Sequence, residues 1–317
     1  MYKKLNFIIL LTLFFMVGCS NNSENVEDNK LTIVTTNFPP YDFVKQIGED
    51  KVNVKMLLKP GEESHTYEPT PKDIIDIQNS DLFIYVGGEN DVWVDDILSS
   101  MGDKKPDTLK LIETVPTVEE EIVEGMQHSH SEDEHEHEEN EHIIDEHVWT
   151  SPKNSIIIVE KITEILSNKD SKNKAFYIKN SSEYIKNLED LDLKFRQVIN
   201  SSKRKTILFG DRFPFRYFAD EYGVSYYAAF SGCSTETEAS PKTIGFLIDK
   251  VKEEDLPIVF TIEFSNGKIS DSICEATGAK KMLLNSGHNI TKEQFENGVT
   301  YLSLMEENVE VLKEALN

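Results

Sequence analysis

The strongest constraint on the fold is an alternation of short β-branched segments with helical segments, present in two separate parts of the chain. The first part contains predicted strands at Leu31–Thr36, Val52–Leu58 and Leu82–Val86. The second part contains predicted strands at Thr206–Phe209, Val224–Ala229, Ile258–Glu263 and Lys281–Leu284. Strands that alternate with helices favour parallel sheets covered by helices on both faces. The sequence therefore predicts an α/β protein with two α/β halves.

The two halves are joined by a stretch of about 50 residues with a helical pattern. One helix is predicted to begin at Ser151-Pro152, because a capping hydroxyl followed by proline is a typical helix start. A second is predicted from about Ser171 to Ile199, with one apolar stripe at Tyr184, Leu188, Leu191, Phe195 and Val198. Such spacing keeps one face of the helix against a partner over four turns. We therefore expect core packing along this helix and a stiff connection between the halves.

The N-terminus has the pattern of a targeting segment. Lys3 and Lys4 precede the apolar run Phe7–Val17, which is too short for a stable membrane span. The following Gly18-Cys19 resembles a lipobox, the bacterial lipoprotein signal in which the cysteine is acylated and becomes the mature N-terminus. Residues 20–30 are then a polar tether. This pattern predicts a lipid anchor at Cys19 and an extracytoplasmic protein at the cell membrane; the alternative is an uncleaved anchor helix.

Two further cysteines, Cys233 and Cys274, remain once Cys19 is assigned to the lipid anchor. In an exported protein such a pair can form a disulfide. They can equally be buried thiols, and the sequence leaves the two possibilities open.

The charge balance limits the class of ligand. The chain has 33 Lys and Arg residues against 57 Asp and Glu residues, so its formal net charge is 33 − 57 = −24. This excess of acids would repel phosphates, which excludes a nucleic-acid partner. Cations, metal ions among them, fit this charge better.

One segment interrupts the α/β pattern. Residues 119–146 contain thirteen acids, no Lys or Arg, and five histidines, at His128, His130, His135, His137 and His142. A segment of this composition cannot bury a core, so we expect a mobile loop. Imidazoles interspersed with carboxylates bind divalent metals weakly, which predicts recruitment of zinc by this loop. A merely solubilising acidic loop is the alternative.

The three other histidines are His65, His147 and His288. Each falls in a predicted loop, and His65 and His288 each follow a predicted strand. Ligands of open α/β sheets bind beyond the carboxyl ends of the strands. Because imidazole is the commonest protein ligand of metals, this placement favours one shared metal site.

Two motifs resemble a known family. Residues 61–71 read GEESHTYEPTP and residues 145–149 read DEHVW. These are similar to the G-x-x-P/S-H-x-Y/F-E-P-T-P and D-P-H-x-W segments of the zinc/manganese solute-binding proteins of ABC importers. An acidic histidine tract before the second motif is typical of the zinc-specific branch. The resemblance implies two (β/α) lobes joined by a rigid helix, a metal in the cleft between them, and His65 and His147 as ligands.

The C-terminal half departs from the family pattern. The segment that usually supplies a third histidine reads GDRFPFRYFA at residues 210–219, where Asp211 is the nearest candidate. The usual L-D-P-like turn reads LNSGH at residues 284–288, with Asn285 in place of the acid and a histidine three residues later. We infer that the two loops exchanged ligand types, which predicts a zinc site of His65, His147, His288 and Asp211.

Two other carboxylates are alternatives to Asp211. Glu238 precedes a predicted helix, where capping or packing is its commoner role. Glu263 ends a predicted strand, where a role in orienting a histidine N–H fits better than direct ligation. Asp211 itself has an alternative role as a helix N-cap before Phe213, or as an ion-pair partner of a neighbouring arginine.

The sequence as a whole predicts a non-enzymatic, monomeric lipoprotein that captures Zn²⁺ and delivers it to an ABC permease with its ATPase. Mn²⁺ is the alternative metal, and a metallohydrolase or an adhesin are alternative functions. None of the usual hydrolase or nucleotide-binding motifs is present in the sequence. The predicted organisation is a signal peptide, a tether, an N-terminal lobe, a connecting helix and a C-terminal lobe, at 1–18, 19–30, 31–170, 171–200 and 201–317.

Overall fold

Two four-stranded sheets, each entirely parallel, form the framework of the protein. The computed structural model describes residues 30–63, 67–126, 143–236 and 238–317. The first sheet has the strand order β2-β1-β3-β4, from β1 (Leu31–Thr35), β2 (Val52–Met56), β3 (Leu82–Tyr85) and β4 (Asp107–Lys110). The second has the order β6-β5-β7-β8, from β5 (Thr206–Phe213), β6 (Ser225–Ser231), β7 (Ile258–Thr261) and β8 (Lys280–Leu283). The predicted α/β class with two parallel-sheet lobes is confirmed.

Helices cover both sheets, and their starts follow local sequence chemistry. The first sheet carries helices α1 (Phe38–Gly48), α2 (Pro71–Gln78) and α3 (Val92–Met101). Helix α2 begins with a capping box, in which the Thr70 side chain accepts the Asp73 N–H and the Asp73 carboxylate accepts the Thr70 N–H. This cap fixes where the segment that carries His65 ends and the helix begins.

The connection between the lobes consists of helices α4 (Pro152–Lys169) and α5 (Lys174–Ser201). Ser151 caps α4 by accepting the Asn154 N–H, as its sequence indicates. All five residues of the predicted apolar stripe on α5 are buried, at Tyr184, Leu188, Leu191, Phe195 and Val198. The stripe is therefore core, which agrees with its helical spacing.

The second lobe adds helices α6 (Arg216–Tyr222), α7 (Pro241–Glu253), α8 (Lys268–Thr277), α9 (Lys292–Glu296) and α10 (Tyr301–Ala315). One boundary differs from the sequence prediction. Strand β5 continues to Phe213, which the sequence assigns to the following helix. The strand has an irregular register beyond Phe209, and Pro214 separates it from α6. As a result Asp211 and Arg212 lie in a strand that reaches the cleft.

One strand and one helix of the N-terminal lobe have no counterpart in the sequence prediction. Strand β4 lies at the edge of its sheet and reads DTLK, with only Leu109 buried. An edge strand exposes much of its surface, so its sequence lacks the continuous apolar run that marks a central parallel strand. Helix α3 buries only Val94 and Leu98, which leaves a weak helical pattern.

A buried carboxylate joins elements of both lobes. Asp42 on α1 accepts the backbone N–H of Tyr301 on α10 at 3.0 Å and the hydroxyl of Tyr184 on α5 at 3.4 Å. Burial raises the pKa of Asp42 to about 6, although these hydrogen bonds partly offset the shift. The first helix is thereby tied to the connecting helix and to the last helix.

Within the described residues, no helix combines the length and apolar character needed to cross a membrane.

Candidate metal centre

His147 is a buried imidazole held by its own loop. It directly precedes the turn that leads into α4, and only 1% of its surface is exposed. The Asp145 carboxylate accepts the backbone N–H of His147 at 2.8 Å and lies 3.1 Å from its Nδ1 atom. This contact favours the tautomer with the proton on Nδ1, which leaves Nε2 as the nitrogen that can bind a metal.

The charges around His147 act on its pKa in opposite directions. Burial lowers the pKa, whereas the Asp145 carboxylate raises it through charge and hydrogen bonding, and Glu146 and Glu120 add to the rise. The pKa of His147 is raised overall. Protons therefore compete with a metal for this imidazole at a higher pH than for an ordinary histidine.

His288 comes from the opposite lobe, in the loop after β8. The centroid of its ring lies 5.4 Å from that of His147, with an angle of 84° between the ring planes. The left-handed backbone of Gly287, at φ +71°, turns the chain immediately before His288. Two histidines that are 141 positions apart in the sequence thus meet in one cleft, as the loop placement predicts.

Glu263 holds the loop that carries His288. Its carboxylate accepts the backbone N–H of Ser286 at 2.8 Å and that of His288 at 3.1 Å, and it also accepts the Ser286 hydroxyl. Burial raises the pKa of Glu263, although these donors partly offset the shift. The sequence assigns Glu263 a role in orienting a histidine N–H, and in the structure it accepts the backbone N–H of His288.

The buried ring of Trp149 packs against both imidazoles. Its ring centroid lies 5.6 Å from that of His147 and 5.1 Å from that of His288, and its side chain is fully buried. The indole N–H donates to the carbonyl of Ser286 at 2.8 Å. This bond crosses between the lobes and fixes the His288 loop against the segment that carries His147.

A small cavity of about 20 Å³ opens beside the two imidazoles. His147 and His288 line it together with acids from both lobes, Glu62, Glu63 and Glu263, and with Arg212. His65 lies outside the described residues, two positions after Glu63 in the sequence. In the described ranges, no group of three or more His, Cys, Asp or Glu side chains is placed to hold a metal ion. A complete ligand set therefore requires a contribution from His65 or a rearrangement of the acids.

The structure places Asp211 away from this cavity. Its carboxylate accepts the Thr261 hydroxyl at 2.9 Å and the Arg212 N–H at 2.9 Å, and it lines a neighbouring cavity. The suggested role as a helix N-cap is wrong, because α6 begins only at Arg216 and the N-cap position is Phe215. The suggested arginine partner is also different, since the Arg212 guanidinium pairs with Glu63 at 3.0 Å.

The other candidate residues have different placements. Glu238 is exposed and is absent from the described lining of the cleft. Cys233 and Cys274 are free thiols. The lipid-anchor cysteine and the histidine tract lie outside the described residues, at Cys19, His128, His130, His135, His137 and His142.

Two positions of the centre are missing from the sequence interpretation. Arg212 lines the cleft. An arginine at the end of a strand in so acidic a chain indicates a residue with a specific role, and the sequence interpretation did not use this. Gly232 packs against the buried pair of Asp145 and His147, and its sequence signals only a turn. A Cβ atom at Gly232 would lie 3.0 Å from Asp145 Oδ2, 3.2 Å from His147 Cε1 and 2.9 Å from the Phe213 carbonyl. A side chain at this position would crowd the Phe213 carbonyl and the pair of Asp145 and His147.

We expect Gly232→Ala to lower metal affinity about 10-fold or more, because the added methyl group displaces His147 or the Asp145 carboxylate that orients it. The measurement is a competition titration of zinc against a chelating dye. Gly245→Ala is the matched control, since no atom lies within 4 Å of its added Cβ and its backbone is helical. Equal affinities of the two variants would show that the close approach to Gly232 has no part in binding.

Comparisons with known proteins agree with this geometry. Residues 33–315 match the family model described as ZnuA, zinc-uptake complex component A, periplasmic. The high-affinity zinc uptake system protein ZnuA of Bacillus subtilis (strain 168) is 34% identical over 100% of this chain and 99% of its own length. The zinc-binding lipoprotein AdcA of Streptococcus pneumoniae (strain ATCC BAA-255 / R6) is also 34% identical over 98% of this chain, which spans 61% of that relative.

A solved structure shows the same fold. The Zn(II)-bound ZnuA-like domain of Streptococcus pneumoniae AdcA has a TM-score of 0.74 and 30% identity, and the match covers 90% of this chain and 99% of that domain. The family match extends over both sheets, the connecting helices and both histidine loops of the cleft. The chain therefore belongs to the ZnuA family, whose members are the metal-binding components of zinc-uptake complexes.

Proposed function

We propose that this protein captures Zn²⁺ in the cleft between its lobes and delivers it to an ABC permease. The observation that carries the proposal is the convergence of His147 and His288 from opposite lobes. Two imidazoles bound through nitrogen to one tetrahedral zinc, at about 2.0–2.1 Å, have ring centroids roughly 5 Å apart. The observed separation of 5.4 Å fits that arrangement. Zinc-binding relatives and a Zn(II)-bound structural neighbour support the choice of metal.

The test of this function is native mass spectrometry of the purified protein after incubation with Zn²⁺ and Mn²⁺ together. We expect one zinc ion per chain and little manganese, because imidazole-rich tetrahedral sites favour zinc over a metal that prefers oxygen ligands. Preferential binding of manganese would identify Mn²⁺ rather than Zn²⁺ as the cargo. Recovery of the metal-free mass alone would refute the proposal.

The proposed ligand set is His65, His147, His288 and one carboxylate. Asp211, the carboxylate that the sequence favours, bonds to Thr261 beside the neighbouring cavity, whereas the alternative Glu263 lines the cleft. Asp211 as a ligand stays a prediction that requires its carboxylate to leave Thr261. The contacts favour Glu263, which already supports the His288 loop.

We expect Glu263→Gln to lower zinc affinity at least about 10–100-fold, because loss of a group that only supports a metal ligand already costs that much. The amide nitrogen of glutamine cannot accept the N–H groups of Ser286 and His288. Asp211→Asn, measured in the same dye competition, should change affinity much less. The reverse ranking would restore Asp211 as the ligand and reduce Glu263 to a support of the fold.

Acidification should release the metal at a pH set by the raised pKa of His147. A metal binds only the ring with an unprotonated Nε2, so zinc affinity should fall as the pH drops through this pKa, above the usual 6.5. In Asp145→Asn the carboxylate that raises the pKa is gone, so the pH at which affinity declines should move lower. Affinity at pH 8 should also fall about 10-fold or more through loss of the orienting contact.

Zinc titrations between pH 5 and pH 8 measure this shift. The distant exposed Asp81, which caps the Thr32 N–H, provides the matched control Asp81→Asn. Wild-type pH dependence in Asp145→Asn would contradict the assignment of Asp145 as the group that tunes His147.

The cellular setting completes the proposal. We infer that Cys19 carries the lipid anchor and holds the protein at the extracytoplasmic face of the membrane, where Cys19→Ser should appear in the soluble fraction. The histidine tract within residues 119–146 gathers zinc for the cleft, and deletion of residues 125–142 should slow growth under zinc limitation. No chemical step is assigned to the protein, since a binding component needs only capture and release.

A further inference from the structure

The metal cleft contains a buried cation that cannot bind a metal. Arg212, at the end of β5 in the C-terminal lobe, lines the same cavity as His147 and His288, and only 9% of its side chain is exposed. A guanidinium has only donors and keeps its charge at every accessible pH. Its charge therefore opposes the entry of a divalent cation into this cavity.

Salt in the surrounding solution does not remove this opposition. Interactions between buried charges are screened much less than those between exposed charges, and both the Arg212 side chain and the His147 ring are buried. The cleft can hold Zn²⁺ tightly only if another group offsets the charge of Arg212.

Glu63 is the group placed to do this. Its Oε1 atom lies 3.0 Å from Nη2 of Arg212, and this pair joins the N-terminal lobe to the C-terminal lobe. The guanidinium also donates to the carbonyl of Ser234 at 3.3 Å. Glu263 is engaged by the Ser286 and His288 N–H groups, and Glu62 by Lys59 at 3.2 Å, so neither duplicates this contact.

The segment that carries Glu63 is fixed to the C-terminal lobe independently of the ion pair. The Asn289 amide donates to the carbonyl of Lys59 at 2.7 Å and to that of Glu62 at 2.8 Å. The Gly61 N–H donates to the carbonyl of Ile290 at 2.8 Å. These bonds hold Glu63 near Arg212 before any metal arrives, and Glu63 lies only two residues before His65.

We propose that Glu63 is a positioning residue that neutralises Arg212 and thereby sets the zinc affinity of the cleft. The inference rests on the proposed zinc function and adds a determinant of affinity that is not itself a ligand. The pair also gives the cleft a means of release, because separating Glu63 from Arg212 exposes the metal to an uncompensated positive charge.

A double-mutant cycle tests this assignment. We expect Glu63→Gln to weaken zinc binding at least 10-fold and to speed zinc release by a similar factor. Arg212→Gln should tighten zinc binding, because it removes the opposing charge, and the double variant, which lacks both charges, should return to within about threefold of the wild type. Dye competition measures zinc affinity, and stopped-flow capture by a chelator measures zinc release. The double variant Lys161→Gln/Glu164→Gln, which removes an exposed ion pair on α4, is the control.

The outcomes separate the possible roles. If Glu63 were a ligand, the double variant would bind zinc well below the wild-type affinity, because removal of Arg212 cannot replace a lost coordination bond. If the pair only supported the fold, the double variant would bind no better than Glu63→Gln, and thermal unfolding of the metal-free proteins would follow the same order. Tight zinc binding by the wild type with no effect of Glu63→Gln would overturn this inference and leave the proposed function intact; a wild type that binds no zinc would overturn the function itself.

Discussion

His147→Ala is expected to lower zinc affinity by about 100-fold or more, with little change in the fold. Removal of a group that merely orients a ligand costs about 10–100-fold, so removal of the ligand should cost at least the upper part of that range. The side chain is buried in a loop, and the substitution leaves the backbone bonds that shape the turn, such as the Thr150 N–H to the His147 carbonyl, in place. Dye competition measures the affinity, and circular dichroism checks the fold.

His288→Ala should produce a loss of the same order, because the two rings face each other across the cleft at 5.4 Å. Both described histidines line the cleft, so the control is Lys72→Ala at an exposed position on α2. A near-normal affinity in His288→Ala would remove the C-terminal lobe from the site. The two-lobe account of metal capture would then fail even if His147 proved essential.

Trp149→Ala is expected to reduce the free energy of unfolding by about 3–5 kcal/mol, the usual range for removing a large aromatic side chain from a core. The ring is fully buried, and its N–H bond to Ser286 would be lost with it. The vacated space lies directly behind both imidazoles. We therefore expect zinc affinity to fall as well, since neither ring keeps its support.

Chemical denaturation of the metal-free protein measures the stability change. The second tryptophan supplies the control, because Trp93 is only partly buried and its indole nitrogen has no hydrogen-bond partner among the described residues. Trp93→Ala should cost clearly less free energy of unfolding and leave zinc affinity unchanged. Equal losses in the two variants would mean that Trp149 has no special role between the lobes.

Hydrophobic periodicity was enough to predict most of the framework. Central parallel strands are buried on both faces, so β1, β3, β5 and β7 have continuous apolar sequences that are easy to recognise. The edge strand β4, with polar Asp107 and Lys110 at its ends, has no such run. Its position depends on pairing with β3, which is a tertiary contact that local sequence does not encode.

The candidate site was predictable to the extent that topology determines it. Loops after parallel strands meet at one edge of a sheet, which accounts for the place of His288 at the end of β8. The cleft in which loops of the two lobes meet was implied by the family resemblance. The direction of individual side chains does not follow. Asp211 and Arg212 are adjacent in β5, and the structure places the arginine in the metal cleft and the carboxylate beside Thr261.

Contacts between distant residues explain the remaining differences. Arg212 pairs with Glu63 across 149 positions of sequence, and no local pattern favours this partner over the nearer Asp211. Gly232 is required by the nearby Phe213 carbonyl and by the side chains of Asp145 and His147, more than 80 positions earlier, rather than by its own backbone conformation. Such requirements arise only when the two lobes are packed against each other.

The central claim is that imidazoles from both lobes bind one zinc ion. A crystal structure of the zinc-loaded protein, with anomalous scattering recorded at the zinc edge, tests it most directly. The account predicts a single strong peak about 2.0–2.1 Å from a ring nitrogen of His147 and from a ring nitrogen of His288. A zinc peak that contacts only one of these rings, or that lies outside the cleft, would contradict it.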